Sequence, residues 1–234
     1  MKTNRLMMAV AAAMSVATVA LAQGGTNLTF NVNQSIPDAS PLGLTLSTNL
    51  TVSGGAISSI TVSLDITGGY NGDLYAYVEG PNGNLVVLLD RVGVGSGNSF
   101  GYSDAGMDVT FDDTAAANGD IHFYQDVGGY SLAGTSWQAD GRTVDPGMMS
   151  SVPADFDAAP SPSAPAYAML GGAFDGSSAD GTWTLFLADL SGGGQSTVVS
   201  WSVDITTVPE PSTLAMLGMG LGGAALLIRR RTRA

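Results

Sequence analysis

The chain has 234 residues, carries 20 acidic side chains against 8 lysines and arginines, and contains no cysteine. Without cysteine it has no thiol nucleophile, no disulfide and no thiolate-bound metal. The excess of negative charge excludes a surface built to bind nucleic acid or anionic lipid headgroups. The negative charge favours binding of divalent cations or cationic partners. The alternative is that it serves only to keep an exported domain soluble.

The first 22 residues have the layout of a secretory signal peptide. Lys2 and Arg5 provide a positive start, and residues 6–21 are apolar and rich in alanine. Ala20 and Ala22 then occupy the small positions of a signal peptidase site, so we expect cleavage after Ala22. An N-terminal membrane anchor is the alternative, but the apolar run is short for one.

Removing the two ends makes the remaining body more acidic. Six of the eight basic residues lie in the terminal segments, which leaves Arg91 and Arg142 in the body. Only one acidic residue, Glu210, lies in those segments, so the body keeps 19 acids and a net charge of about −17.

Residues 23–207 predict an all-β fold, an antiparallel jelly-roll-like β sandwich. In the segment ISSITVSLDI, apolar side chains alternate with polar ones, as in a strand with one buried face. The segment GDLYAYVEGPNGNLVVLLD predicts a hairpin that turns at residues 81–83, because Asn-Gly tolerates positive φ. Near the end, GTWTLFLAD and VVSWSVDIT predict two strands that pair with each other. NLTFNVN, DVTF and DIHFYQ are shorter candidate strands.

Residues 145–167 contain five prolines and predict a long loop, because proline cannot donate to a strand ladder. A domain boundary is the other interpretation, although the part that follows is too short to fold alone.

The body resembles a known module. SSITVSLDITGGYNGDLYAYVEGPNGNLVVLL is similar to the opening half of the P domain, or P/Homo B, a β sandwich found beside the catalytic domain of subtilisin-like proprotein convertases. The run from Gly181 to Leu185, with Asp189 and Trp201 after it, resembles the closing half, so the match covers residues 57–205. No protease domain accompanies the module here, and the resemblance therefore implies a non-catalytic role.

Four aspartates within ten residues are candidate calcium ligands: Asp104, Asp108, Asp112 and Asp113. Calcium takes six to eight oxygen ligands, many of them from carboxylates in turns. Some members of the P domain family hold calcium, which adds to this hypothesis. The spacing is not that of an EF-hand loop, and aspartates also cap turns in β proteins.

The sequence contains little that indicates enzymatic activity. His122 is the one histidine, and no Gly-x-Ser-x-Gly segment accompanies it. We therefore interpret His122 as structural or exposed and assign no catalytic residue. A hydrolase with two carboxylates in an acidic cleft is the remaining enzymatic alternative. Exposed aromatics such as Tyr75, Tyr77, Tyr124 and Trp137 would instead indicate a surface that binds carbohydrate or a partner.

The C-terminal segment predicts a membrane helix over residues 212–228, which carry no charge. These residues would reach about 25 Å, against a bilayer core of about 30 Å. The arginines after them favour a cytoplasmic tail, which places the body outside. They are Arg229, Arg230, Arg231 and Arg233.

Val208, Pro209, Glu210 and Pro211 precede this segment. The order of Pro-Glu-Pro, apolar segment and terminal arginines resembles the PEP-CTERM sorting signal of Gram-negative bacteria over residues 208–234. The resemblance implies recognition by an exosortase, a membrane protease-transpeptidase, after transient anchoring in the inner membrane.

We therefore expect a surface or extracellular-matrix protein with a structural or adhesive role among exopolysaccharide and other surface proteins. An accessory binding module for a separate serine protease or a polysaccharide is the alternative.

Overall fold

The computed structural model describes residues 24–52, 55–95, 97–141 and 169–208. Nearly all regular structure in these ranges is β-strand. The strands are β1 (Gly24–Ser35), β2 (Ser40–Leu50), β3 (Ala56–Gly68), β4 (Leu74–Glu79), β5 (Leu85–Asp90), β6 (Met107–Phe111), β7 (Ala133–Trp137), β8 (Gly181–Asp189) and β9 (Ser196–Val208). One short α-helix, α1 (Leu170–Phe174), and two 3-10 helices at Asn71–Asp73 and Ile121–Asp126 lie between them.

The strands form two sheets that pack as a sandwich, which confirms the predicted fold class. The five-stranded sheet has the order β1-β9-β3-β6-β7, and the four-stranded sheet has the order β2-β8-β4-β5. The described ladders are antiparallel except for β6 and β7, which run parallel at one edge. A parallel neighbour requires a long crossover, and residues 112–132 with the second 3-10 helix supply it.

The core lies between the two sheets and follows the predicted alternation. On β3, Ile60, Val62, Leu64 and Ile66 are buried, and the residues between them are at most half-buried. The hairpin of β4 and β5 also forms as predicted, with Gly83 at φ 76° in its turn. Each strand therefore presents one apolar face inward, where burial contributes about 25 cal/mol per Å².

The outer face of the four-stranded sheet is also apolar. Tyr75, Val87, Phe186, Ala188 and Leu190 form a second buried cluster, separate from the core between the sheets. Successive strand residues point to opposite faces, so β8 contributes to both clusters. This explains why GTWTLFLAD is an almost continuous apolar run and not a strict alternation.

Two sequence predictions about elements are wrong. β8 and β9 do not pair: β8 lies between β2 and β4, and β9 lies between β1 and β3. Their connection crosses between the sheets, so Trp183 and Trp201 enter the same core from opposite sides. The segment DIHFYQ is a 3-10 helix and not a strand, because the Asp120 side chain accepts a hydrogen bond from the His122 amide at 2.8 Å and starts a turn.

Candidate functional site

The four aspartates proposed as calcium ligands have different roles. The carboxylate of Asp104 accepts hydrogen bonds from the hydroxyls of Tyr124 and Tyr130, at 2.9 and 3.2 Å, and from the amide of Gln125 at 2.6 Å. Partial burial raises its pKa, but these three donors outweigh burial and hold the pKa below the ordinary value. Asp104 therefore ties three side chains together through its carboxylate.

The other three aspartates do not join it. Asp108 is exposed on β6, opposite Asp65 on β3. Asp112 accepts from the backbone N–H and hydroxyl of Thr114, both at 2.8 Å. Asp113 accepts from the first backbone N–H groups of α1, at 3.0 and 2.7 Å.

The predicted four-aspartate site is thus not assembled. Across residues 24–52, 55–95, 97–141 and 169–208, no group of three or more histidine or acidic side chains is placed to hold a metal ion. Turn and helix capping account for carboxylates that the sequence alone presented as ligands.

His122 is buried and structural. Its Nδ1 lies 2.8 Å from Oδ2 of Asp140, and its Nε2 lies 3.0 Å from the carbonyl oxygen of Val94. A catalytic triad would place a serine hydroxyl at Nε2, where this ring meets a backbone carbonyl. The pair therefore links the crossover to the residues that follow β7.

A second buried polar cluster surrounds Arg91, the one lysine or arginine in the described ranges. Its Nε donates to the carbonyl oxygen of Gly72 at 3.3 Å, and its Nη2 lies 3.4 Å from the hydroxyl of Ser191. Asp73 is buried where the charge of Arg91 acts on it, and Asp189 is buried near Asp73. The pKa of Asp189 is raised to about 7, chiefly by burial. The hydrogen bond from the Ser191 amide lowers this pKa, and the nearby carboxylate of Asp73 raises it.

This cluster predicts a pH-dependent stability. The unfolded chain releases the Asp189 proton near its ordinary pKa of 3.8, and the folded chain releases it near 7. Between these values the folded state binds more protons, so stability is greatest below the lower value and falls as pH rises to the upper one. We expect Asp189→Asn to reduce this loss of stability with rising pH. The loss that remains is due to Asp73, whose pKa is also raised by burial.

Urea unfolding measured from about pH 4 to about pH 8 tests this prediction. Asp204→Asn on β9 is the matched control, because Asp204 is exposed and should leave the slope unchanged. Equal slopes for Asp189→Asn and the wild type would contradict the assigned role of Asp189.

The four aromatic residues that the sequence suggested as an exposed binding surface do not form one. Tyr75, Tyr124 and Trp137 are fully buried, and Tyr77 is half-buried against the cluster on the outer sheet face. A period-two pattern separates the two faces of a strand, but it does not tell whether other residues cover a face.

A different set of aromatics lines an open groove of about 490 Å³. We call it the aromatic groove; its lining is Tyr70, Asp73, Phe100, Gly101, Tyr102, Ser103, Ser191 and Gly192. Phe100 is 78% exposed and Tyr70 is 44% exposed, while Tyr102 packs edge-on against Tyr124 with ring centroids 4.7 Å apart. This groove was not predicted from the sequence, because its residues come from three segments that are far apart along the chain.

Backbone contacts fix the walls of the aromatic groove. The amide of Gly72 donates to the carbonyl oxygen of Tyr102 at 2.9 Å, and the amide of Tyr102 donates to that of Val92 at 3.0 Å. Gly101 has φ 73°, and a side chain there would meet the Gly72 backbone at 2.7 Å. Only glycine allows this close approach. These contacts therefore fix the backbone of the loops that carry Phe100 and Tyr102.

The sorting segment follows the fold directly. β9 ends at Val208, which is half exposed, and Pro209, Glu210 and Pro211 come next. These three residues, the predicted helix 212–228 and the terminal arginines lie outside the described residues, as do the signal peptide and loop 145–167. In the part of the chain that the structure describes, no helix is long and apolar enough to cross a membrane.

Comparison with known proteins gives one specific match. Residues 207–231 match the PEP-CTERM protein-sorting motif. No curated protein matches the chain.

Two solved structures share a distant likeness. A complex of the Aeromonas sobria serine protease and the chaperone is 15% identical with a TM-score of 0.42, and the serine protease of Aeromonas sobria is 16% identical with a TM-score of 0.40. Each covers 80% of this chain, and the chain spans 27% of each of theirs. The match over residues 207–231 supports an exported protein that exosortase sorts through its C-terminal motif.

Proposed function

We propose that the chain is an exosortase-sorted protein whose β sandwich is displayed at the cell surface as a non-catalytic, P domain-like module. The observation that carries this proposal is the position of the sorting motif. The match over residues 207–231 begins where β9 ends, so the folded body is followed at once by the signal.

The order of the segments explains the proposed route. Signal peptide 1–22 directs the chain across the inner membrane, and apolar residues 212–228 hold it there with the arginines inside. Pro209 and Pro211 oppose both helix and strand, which keeps the segment between sandwich and membrane extended for a protease. Exosortase then releases or transfers the body.

A non-catalytic role fits the chemistry of the described residues. His122 meets a carbonyl oxygen where a catalytic histidine would meet a nucleophile. The buried acids Asp73 and Asp189 lie near each other, and the charge of Arg91 acts on Asp73. We propose that the sandwich acts by binding, in a structural or adhesive role within extracellular matrix.

A polysaccharide-binding role is the favoured form of this proposal, because the aromatic groove is open, preformed and lined by both rings and polar groups. Binding to a separate serine protease is the other candidate from the P domain resemblance.

Cell fractionation tests the sorting step. In cells with exosortase, the sandwich is expected at the surface or in the medium. In cells without it, the sandwich is expected in the inner-membrane fraction, because the uncleaved apolar segment keeps it there. An unchanged distribution between the two strains would overturn the proposed function.

A further inference from the structure

The aromatic groove combines features that point to one class of ligand. Phe100 and Tyr70 present exposed rings, and Tyr102 supplies a third ring in the wall. Ser103 and Ser191 also line the groove, so it has hydroxyl groups as well as rings. Aromatic faces next to hydrogen-bonding groups suit a ligand with both apolar C–H surfaces and polar edges.

One carboxylate lines the groove, and others lie close to its aromatic wall. Asp73 lines it, and Asp104 follows Ser103 along the chain. The charges of Asp126 and Asp120 act on Tyr102 and, after burial, contribute to the raised pKa of its hydroxyl. The groove thus lies in a field of negative sign, which attracts cations and repels acidic polymers.

Arg91 is the one lysine or arginine in the described ranges, and its charge acts on Asp73. Arg91 is 4% exposed and directs its guanidinium to Gly72 and Ser191 beneath the groove. Ammonium groups also bind favourably over aromatic faces, by about 0.5–2 kcal/mol. A ligand that carries both sugar rings and ammonium groups would therefore use every feature of the site.

We propose that the aromatic groove binds a cationic glycan, a chain of amino sugars whose amino groups are free. This inference rests on the proposed surface role and names the ligand class for it. The exposed rings of Phe100 and Tyr70 stack on the sugar faces, and the nearby carboxylates attract the ammonium groups. The groove is open, so a polymer can cross it without a chain end being needed.

The test measures binding of a glucosamine hexamer to the full chain, purified in non-ionic detergent. The wild type is expected to bind it, with affinity that falls as salt is added. Phe100→Ala is expected to weaken binding about tenfold. Tyr70→Ala combined with Phe100→Ala is expected to abolish it. Phe123→Ala is the matched control, an exposed phenylalanine outside the groove that should leave affinity unchanged.

Two further ligands distinguish a cationic glycan from other classes of ligand. The N-acetylated hexamer is neutral and should bind at least tenfold more weakly; equal affinity would overturn the cationic class. Hexalysine carries charge without sugar rings, and it should bind weakly and with no dependence on Phe100. Hexalysine binding as tight as the glucosamine hexamer, and equally sensitive to Phe100→Ala, would assign the groove to cationic peptides and overturn the glycan.

Absence of binding by the wild type would also overturn the inference. Thermal unfolding of each variant confirms that the fold is retained, as expected for exposed side chains. Phe100→Ala should still be sorted in cells, because it leaves the C-terminal segment intact. A wild type that is sorted normally but does not bind the glucosamine hexamer therefore contradicts this inference alone, and a wild type that is not sorted contradicts the proposed function.

Discussion

His122→Phe is expected to lower the free energy of unfolding by about 2–4 kcal/mol, because it removes the buried hydrogen bond between the ring and the Asp140 carboxyl group. Both side chains are fully buried and lie 2.8 Å apart. The substitution also removes the donor that faces the carbonyl oxygen of Val94 at 3.0 Å. A loss of this size is a large part of the stability of an ordinary domain, about 5–15 kcal/mol.

Equilibrium urea unfolding of the single and double variants checks this expectation. In the wild type, the Asp140 side chain also accepts a hydrogen bond from the backbone amide of Asp90 at 3.2 Å. The variant Asp140→Asn keeps an oxygen that can accept this bond. The double variant His122→Phe with Asp140→Asn should lose less than the sum of the two single losses, because both single changes disturb the same hydrogen bond. A loss below about 1 kcal/mol for His122→Phe would show that the pair is not a stabilising contact.

Replacing Pro209, Glu210 and Pro211 together by alanine is expected to abolish processing of the C-terminal segment. The change removes the motif that exosortase recognises and allows the linker to join a neighbouring helix. The full-length form should then accumulate in the membrane fraction, detected by immunoblot with an antibody against the sandwich.

The matched control replaces three polar residues of β9 instead. Ser200, Ser202 and Asp204 lie outside the motif on the strand that precedes it, none of them fully buried. Alanine at these positions should leave processing intact while the fold is retained. Processing of the Pro209, Glu210 and Pro211 variant at the wild-type rate would contradict the assignment of the motif.

Local alternation predicted most of the fold. The faces of β3, the hairpin of β4 and β5 and the sandwich class all follow from period-two patterns and from turn residues that accept positive φ. Pairing between distant strands does not follow in the same way. β8 and β9 carry similar patterns and are close along the chain, yet each finds partners elsewhere, because any two amphipathic strands satisfy the same pattern.

The candidate site was harder to predict than the fold. The four aspartates looked like ligands by their spacing, but capping a turn or a helix requires the same side chain. The aromatic groove depends on where three loops meet, which is set by close backbone contacts such as Gly101 against Gly72. The alternation of apolar and polar residues along the sequence carries no information about those contacts. The sorting motif is the opposite case, since its information lies in the linear order of residues.

The most direct test of the central claim is the intact mass of the mature protein recovered from the cell surface or the medium. With exosortase present, the protein should begin after Ala22 and should lack Arg229, Arg230, Arg231 and Arg233. In cells without exosortase, the membrane fraction should hold a form that keeps all four arginines. A surface-located protein with the arginine tail intact would contradict the account.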